Sequence, residues 1–147
     1  MADAPYFDPS GFANNHFVQR DEKPWGYELL FAQPDAPYMS KLMHINKGAR
    51  ESLQVHDQKQ ETYVLIKGEA VLLWENNKGE MVTTQLEPFV GYKTSVGQKH
   101  RLVAITDCDI METSTPESGT TWRLEDDYDR PDETPEQRKK ERGEASL

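Results

Sequence analysis

The sequence predicts an all-β fold, folded as one small sandwich or barrel. Three observations predict it. Short runs of apolar and β-branched residues recur at close spacing between 38 and 114, turn residues separate them, and no long amphipathic helical pattern interrupts the series. The chain has 147 residues, the size of one domain, with enough length to bury one core and little to spare.

The elements follow in order. Residues 1–22 are rich in Asp, Asn, Pro and Gly and lack periodicity, so they are read as an irregular N-terminal arm. Strand patterns follow at 38–46 (YMSKLMHIN), 62–66 (TYVLI) and 69–75 (EAVLLWE), with Lys67-Gly68 as the turn between the last two. Asn76-Asn77-Lys78-Gly79 predicts a hairpin turn, because Asn and Gly tolerate positive φ. Return strands are predicted at 81–86, 89–92, 101–105 and 109–114. Residues 131–147 form a polar, charged tail. It is expected to be at most a frayed helix after Pro135, because it has no apolar face, and Arg138, Lys139 and Lys140 are read as a solvated face.

Charge excludes several function classes. With 17 basic and 26 acidic side chains the formal net charge is −9. A nucleic-acid binder needs a basic face, and an anionic lipid surface would repel this chain. No apolar stretch approaches a membrane span of about 20 residues. The first residues have no basic start and no apolar run, so no secretory signal is read there. Cys108 is the single cysteine, which excludes an internal disulfide and fits a buried thiol in a reducing compartment. A cytoplasmic location is expected.

The chemistry-bearing stretch is 48–70, GARESLQVHDQKQETYVLIKGEA. His56 and Gln58 are two apart, the spacing that puts side chains on one face of a strand. Glu61 opens a strongly apolar strand, where a carboxylate must be solvated, paired or bound to metal. Gly97 precedes a distant His100 and places it at the start of another strand. Two imidazoles, an amide and a carboxylate suit Mn, Fe, Co, Ni or Zn without choosing among them. His16 and His44 are read as structural or surface histidines, and Trp25, Tyr63 and Trp74 as core aromatics.

This stretch resembles the first cupin motif: Gly, then His-x-His, then Glu, then a further Gly. Four blocks are similar to the C-terminal cupin domain of type II phosphomannose isomerases, including the bifunctional isomerase/guanylyltransferases. They are KPWGYE at 23–28, SLQVHDQKQETYVLIKGEA at 52–70, VGYKTSVGQKHRL at 90–102, and IMETS at 110–114 with RLEDDYDR at 123–130. They occur in the family's order and cover nearly all of 23–130. The resemblance implies a cupin jelly roll, a double-stranded β-helix barrel, over 23–130. It implies one divalent metal held by His56, Gln58, Glu61 and His100, with Gln58 standing where the family has His. Lys23, Arg50, Arg101 and Arg130 fall where the family has basic residues, which implies a pocket for a small anionic sugar or sugar phosphate. Alternation sends Arg101 and His100 to opposite faces, so Arg50 is the first choice there and Lys23 the second. The segment 115–122, TPESGTTW, replaces a longer acidic stretch of the family, so the exact substrate does not carry over. No counterpart of the nucleotidyltransferase domain is present, so GDP-sugar synthesis is not expected. The resemblance also implies a homodimer.

The expected function is metal-dependent isomerisation or epimerisation of a sugar or sugar phosphate. The chemistry moves a proton beside a carbonyl, with Glu61 or Glu112 as the group in reach. Two alternatives stand beside it: other metal chemistry on the same barrel, an oxygenase or a lyase, and a non-catalytic cupin that binds a sugar.

Overall fold

The computed structural model describes residues 2–11 and 16–143. Of the arm and tail read from sequence, residues 1, 12–15 and 144–147 lie outside the described residues. Eleven strands run in order: β1 Gln19–Lys23, β2 Gly26–Leu30, β3 Met39–Ile45, β4 Leu53–His56, β5 Glu61–Lys67, β6 Ala70–Glu75, β7 Met81–Gln85, β8 Gly91–Thr94, β9 His100–Ala104, β10 Cys108–Ser114 and β11 Thr121–Glu125. One helix, α1 Pro135–Arg142, follows. The strands form two antiparallel sheets, a six-stranded one in the order β1-β2-β3-β10-β5-β8 and a five-stranded one in the order β11-β4-β9-β6-β7. Residues of both sheets share one core, the sandwich or barrel that the strand series predicts and the jelly roll that the resemblance implies.

Alternation builds the two sheet faces. In β3 the inward residues are Met39, Lys41, Met43 and Ile45, and in β10 they are Cys108, Ile110, Glu112 and Ser114. Register then sorts them along the barrel. Met43 faces Ile110, whereas Lys41 faces Glu112 and Ser114 faces Glu61. One end of the lumen is therefore apolar, packed with Met43, Ile45, Leu65, Leu72, Leu102 and Ile110. The other end carries buried charge. Gly26 allows the sheet to start: its φ is +154°, and a Cβ there would overlap the His44 carbonyl oxygen.

Two features depart from the sequence reading, the start of the first strand and the burial of Arg138. Residues 19–22 of the expected arm belong to β1, which pairs with β2, so the barrel starts earlier than 23. Alternation in QRDEK is hard to see because the single buried residue of that strand is the charged Asp21. The tail forms the short helix after Pro135 that the sequence reading allowed, capped by Thr134, whose hydroxyl accepts from the Gln137 amide at 3.1 Å. Arg138 is not on a solvated face: it is buried, bonding Glu133 at 2.9 Å and the Gly119 carbonyl at 3.1 Å.

Candidate metal centre

Strand pairing carries the site. Gln54 of β4 lies opposite His100 of β9, and Thr121 of β11 lies opposite His56. Glu61 opens β5 in the other sheet. His56, Glu61 and His100 thus approach one point from two sheets, each with a ligand atom within 4.8 Å of the others. They are 3 %, 2 % and 0 % exposed. The Nε2 of His100 is 2.8 Å and that of His56 is 3.3 Å from Oε1 of Glu61.

Outer contacts aim these groups. Nδ1 of His100 lies 2.8 Å from the Gln98 carbonyl, which only accepts, so Nδ1 carries a proton and Nε2 faces the cluster. Nδ1 of His56 sits 2.8 Å from the Thr121 hydroxyl. Tyr63 donates to Oε1 of Glu61, and Thr94 does so at 3.2 Å. Oε2 of Glu61 has no hydrogen bond, although Nζ of Lys59 is 3.2 Å away. Two imidazoles and a carboxylate with an unsatisfied oxygen, held in a buried cluster, fit a divalent transition metal.

The sites named from sequence do not all meet here. β4 ends at His56, so alternation stops there and Gln58 falls in the following turn. Its side chain is exposed and lies against Gly119, where a Cβ would meet Asp57 Oδ1 and the Gln58 side chain. The amide that joins the cluster is Gln54, two residues before His56 on the same strand. Its Nε2 is 3.4 Å from Nε2 of His100, and its Oε1 accepts from the Ser52 hydroxyl at 2.9 Å. The signal for it lies in the run LQVH, where Gln54 and His56 alternate as Gln58 and His56 do.

A cavity of about 40 Å³ adjoins the centre, enough for a few waters. Lys41, Glu51, Gln54, His56, Lys59 and Glu112 are among its walls. Burial pushes the Glu51 carboxyl up to about 7. Burial and the neighbouring Glu61 charge keep Glu112 well above the usual carboxylate range, against the pull of Lys41 and Lys59. Burial also opposes ionisation of Glu61, but Lys59 and the bonds from His100 and His56 outweigh it and hold that carboxyl well below its ordinary value. Burial opposes ionisation of Glu28 too, and Lys41 and Lys23 hold it at about 2.

The four basic residues expected to form an anion pocket are not brought together. Lys23 and Arg130 line the cavity, and each has an acidic partner: Glu28 at 3.6 Å and Asp126 at 2.9 Å. Arg50 and Arg101 do not line it. Arg50 is a bidentate partner of Asp127 at 2.7 and 2.8 Å, and Arg101 bonds the Glu51 carbonyl at 2.9 Å and the Glu125 carboxylate at 3.3 Å. Arg50, the first choice of anion binder from the sequence, gives its Nε and Nη2 to Asp127 and does not line this cavity.

No protein-family model and no curated protein matches the chain. Solved structures do. KdgF from Halomonas sp. is similar with a TM-score of 0.57 and 20 % identity, over 69 % of this chain and 87 % of that one. Oxalate decarboxylase from Lactobacillus farciminis, solved as a formate complex, gives 0.65 and 17 % over 78 % of this chain and 37 % of that one. The capsular polysaccharide assembling protein CapF from Staphylococcus aureus gives 0.58 and 13 % over 86 % and 34 %. The chain thus spans about a third of the length of the last two. A likeness at these identities is one of fold.

Proposed function

We propose that this chain is a metal-binding cupin enzyme that moves a proton within a small, oxygen-rich substrate, a sugar or sugar acid. The observation that carries the reading is the buried His56–Glu61–His100 cluster beside a polar cavity. His56, His100 and Glu61 would hold the divalent ion, with Gln54 as a fourth donor in place of Gln58. Bound there, the ion would supply Lewis-acid polarisation of a substrate oxygen.

The protein's own groups divide the remaining work. Glu61 is occupied, because Tyr63, Thr94, His56 and His100 all meet its Oε1. That leaves Glu112 as the proton-transfer group. Its burial raises its pKa and so its basicity, and Nζ of Lys59, 3.4 Å away, is placed to hold its ionised form, which takes the proton from the carbon beside the carbonyl and returns it one carbon away. Trp25 closes the cavity wall and limits water there. The resemblance to phosphomannose isomerases favours aldose–ketose isomerisation or epimerisation. The acidic partners of Arg50, Arg101 and Arg130 favour a neutral or singly charged sugar over a sugar phosphate.

A second reading has its own support. The cavity is small, and one structural neighbour of similar fold, an oxalate decarboxylase, is a formate complex. A small carboxylate as substrate of a lyase fits that size.

The deciding experiment incubates metal-loaded protein in deuterated water with aldoses, ketoses, sugar acids and small dicarboxylates, followed by NMR. The isomerase reading expects deuterium to appear beside the carbonyl of a sugar, and Glu112→Gln to slow this by about a hundredfold, the low end for acid–base catalysis. Loss of carbon dioxide from a dicarboxylate, with no exchange in any sugar, would establish the second reading instead. A homodimer belongs to the same proposal through the resemblance, and a monomer by light scattering would contradict it.

A further inference from the structure

A metal centre this buried needs an access route. Besides an open cleft of about 350 Å³ lined by Glu61, Lys93 and Ser114, two cavities lie near it. The inner one touches the centre. The outer one, of about 310 Å³, is lined by Tyr38, Met39, Pro116, Gly119, Pro135 and Arg138. Glu117 and Arg142 line both, so their ion pair is the partition between them.

The partition is held by charge. Its helix, PEQRKKER, has no apolar residue after Pro135, and the side chains it buries are those of Arg138 and Arg142. Arg142 touches Glu117, approaches Asp21 at 2.9 Å and Glu28 at 4.0 Å, and its side chain is buried with theirs. Asp21 Oδ2, Glu28 Oε1, Glu117 Oε2 and Arg142 Nε make no hydrogen bond despite these contacts. Charges in contact without hydrogen-bond geometry gain little over hydration. If Arg142 leaves, Glu117 keeps Lys41 at 2.6 Å, Glu28 keeps it at 2.8 Å, and Asp21 keeps the Gln19 amide at 2.9 Å. Opening costs the Arg138 bonds and the Arg123–Glu141 pair at 2.9 Å, but the helix has no apolar face to lose and Asp21, Glu28 and Glu117 each keep a partner.

We infer that the Arg142–Glu117 pair is a gate, and that α1 swings away to join the outer cleft to the metal cavity and admit ligand. The inference rests on the metal-centre reading. The outer cleft is the vestibule, with Tyr38, Met39 and Pro116 offering an apolar floor and Lys139 a cation at its rim.

The test is the rate at which zinc-loaded protein loses zinc to excess EDTA, followed with a chromogenic chelator. Wild-type release should quicken as sodium chloride is raised, because salt stabilises the exposed charges of the open form. Arg142→Gln should release zinc about fivefold faster or more at low salt, the factor expected for one ion pair of moderate strength. Arg50→Gln, which breaks an ion pair that lines neither cavity, should not change it. Equal rates for Arg142→Gln and wild type, with no salt effect, would overturn the gate. Should the protein hold neither zinc nor manganese, iron, cobalt or nickel, the metal reading fails on its own, and the gate is judged by hydrogen exchange of the metal-free chain. Arg142→Gln should then speed exchange of the α1 amides and leave those of β5 and β10 unchanged. No change in α1 overturns the gate there too.

Discussion

At the residue scale, the lumen is organised by which buried groups keep or lose their protons. Glu51 is the clearest case. It is buried, its Oε1 accepts from the Leu102 amide at 3.1 Å, and burial lifts its pKa from 4.5 to about 7. Its folded-state pKa lies above its unfolded value, so between those two values the folded protein binds more protons. The stability it contributes is complete below about pH 4.5, falls as pH rises toward 7 and levels off above, by roughly 3 kcal/mol in all. Metal-free protein should therefore melt lower at pH 8 than at pH 5, and Glu51→Gln, which keeps a carbonyl for Leu102, should flatten that slope in thermal melts across pH. An undiminished slope would remove Glu51 as its source. A second residue acts through geometry. Thr121 holds Nδ1 of His56 at 2.8 Å, and Thr121→Val should weaken metal affinity about tenfold, the usual cost of losing such a partner, with the fold intact by circular dichroism.

At the scale of elements, the strands most legible in the sequence are those whose inward residues are apolar. Residues 62–66 and 69–75 read as strands because Tyr63, Leu65, Ala70 and Leu72 all enter the core. In β10 the alternation is half apolar: Ile110 is fully buried between Met43 and Leu65, whereas Met111 and Thr113 point outward. Ile110→Ala should cost about 2–5 kcal/mol in denaturant unfolding, and Thr113→Ala well under about 1 kcal/mol. Strand β1 escapes the sequence reading, and α1 is read there only as frayed, for one reason. Their buried side chains are Asp21, Arg138 and Arg142, and a hydrophobic pattern cannot see an element that docks by charge. The same blindness applies to β11, where Trp122 and Leu124 are the more exposed residues and Thr121 is the buried one.

Across the molecule as a unit, the centre joins the two sheets: Glu61 comes from one, His56 and His100 from the other. A metal that ties both should stabilise the folded state, by about 2.7 kcal/mol at a free concentration a hundred times the dissociation constant. Zinc should raise the melting temperature of wild type and leave that of the His56→Ala, His100→Ala double variant unchanged, as read by calorimetry. An equal rise in both would place the metal elsewhere. No helix among the described residues is long and apolar enough to cross a membrane. The all-β class, the order of most strands, and three of the donors, His56, Glu61 and His100, are legible in the amino-acid sequence, because period-two alternation and turn residues are local properties. It takes the folded chain to place Gln54 rather than Gln58 toward them, to put Arg50 and Arg101 outside the lumen, and to close that lumen with the charged tail. Those outcomes depend on where β4 stops, on which strand lies beside it, and on ion pairs such as Arg142 with Asp21 that span more than a hundred residues of chain. Such pairings are set by the packing of distant segments, which no local pattern encodes.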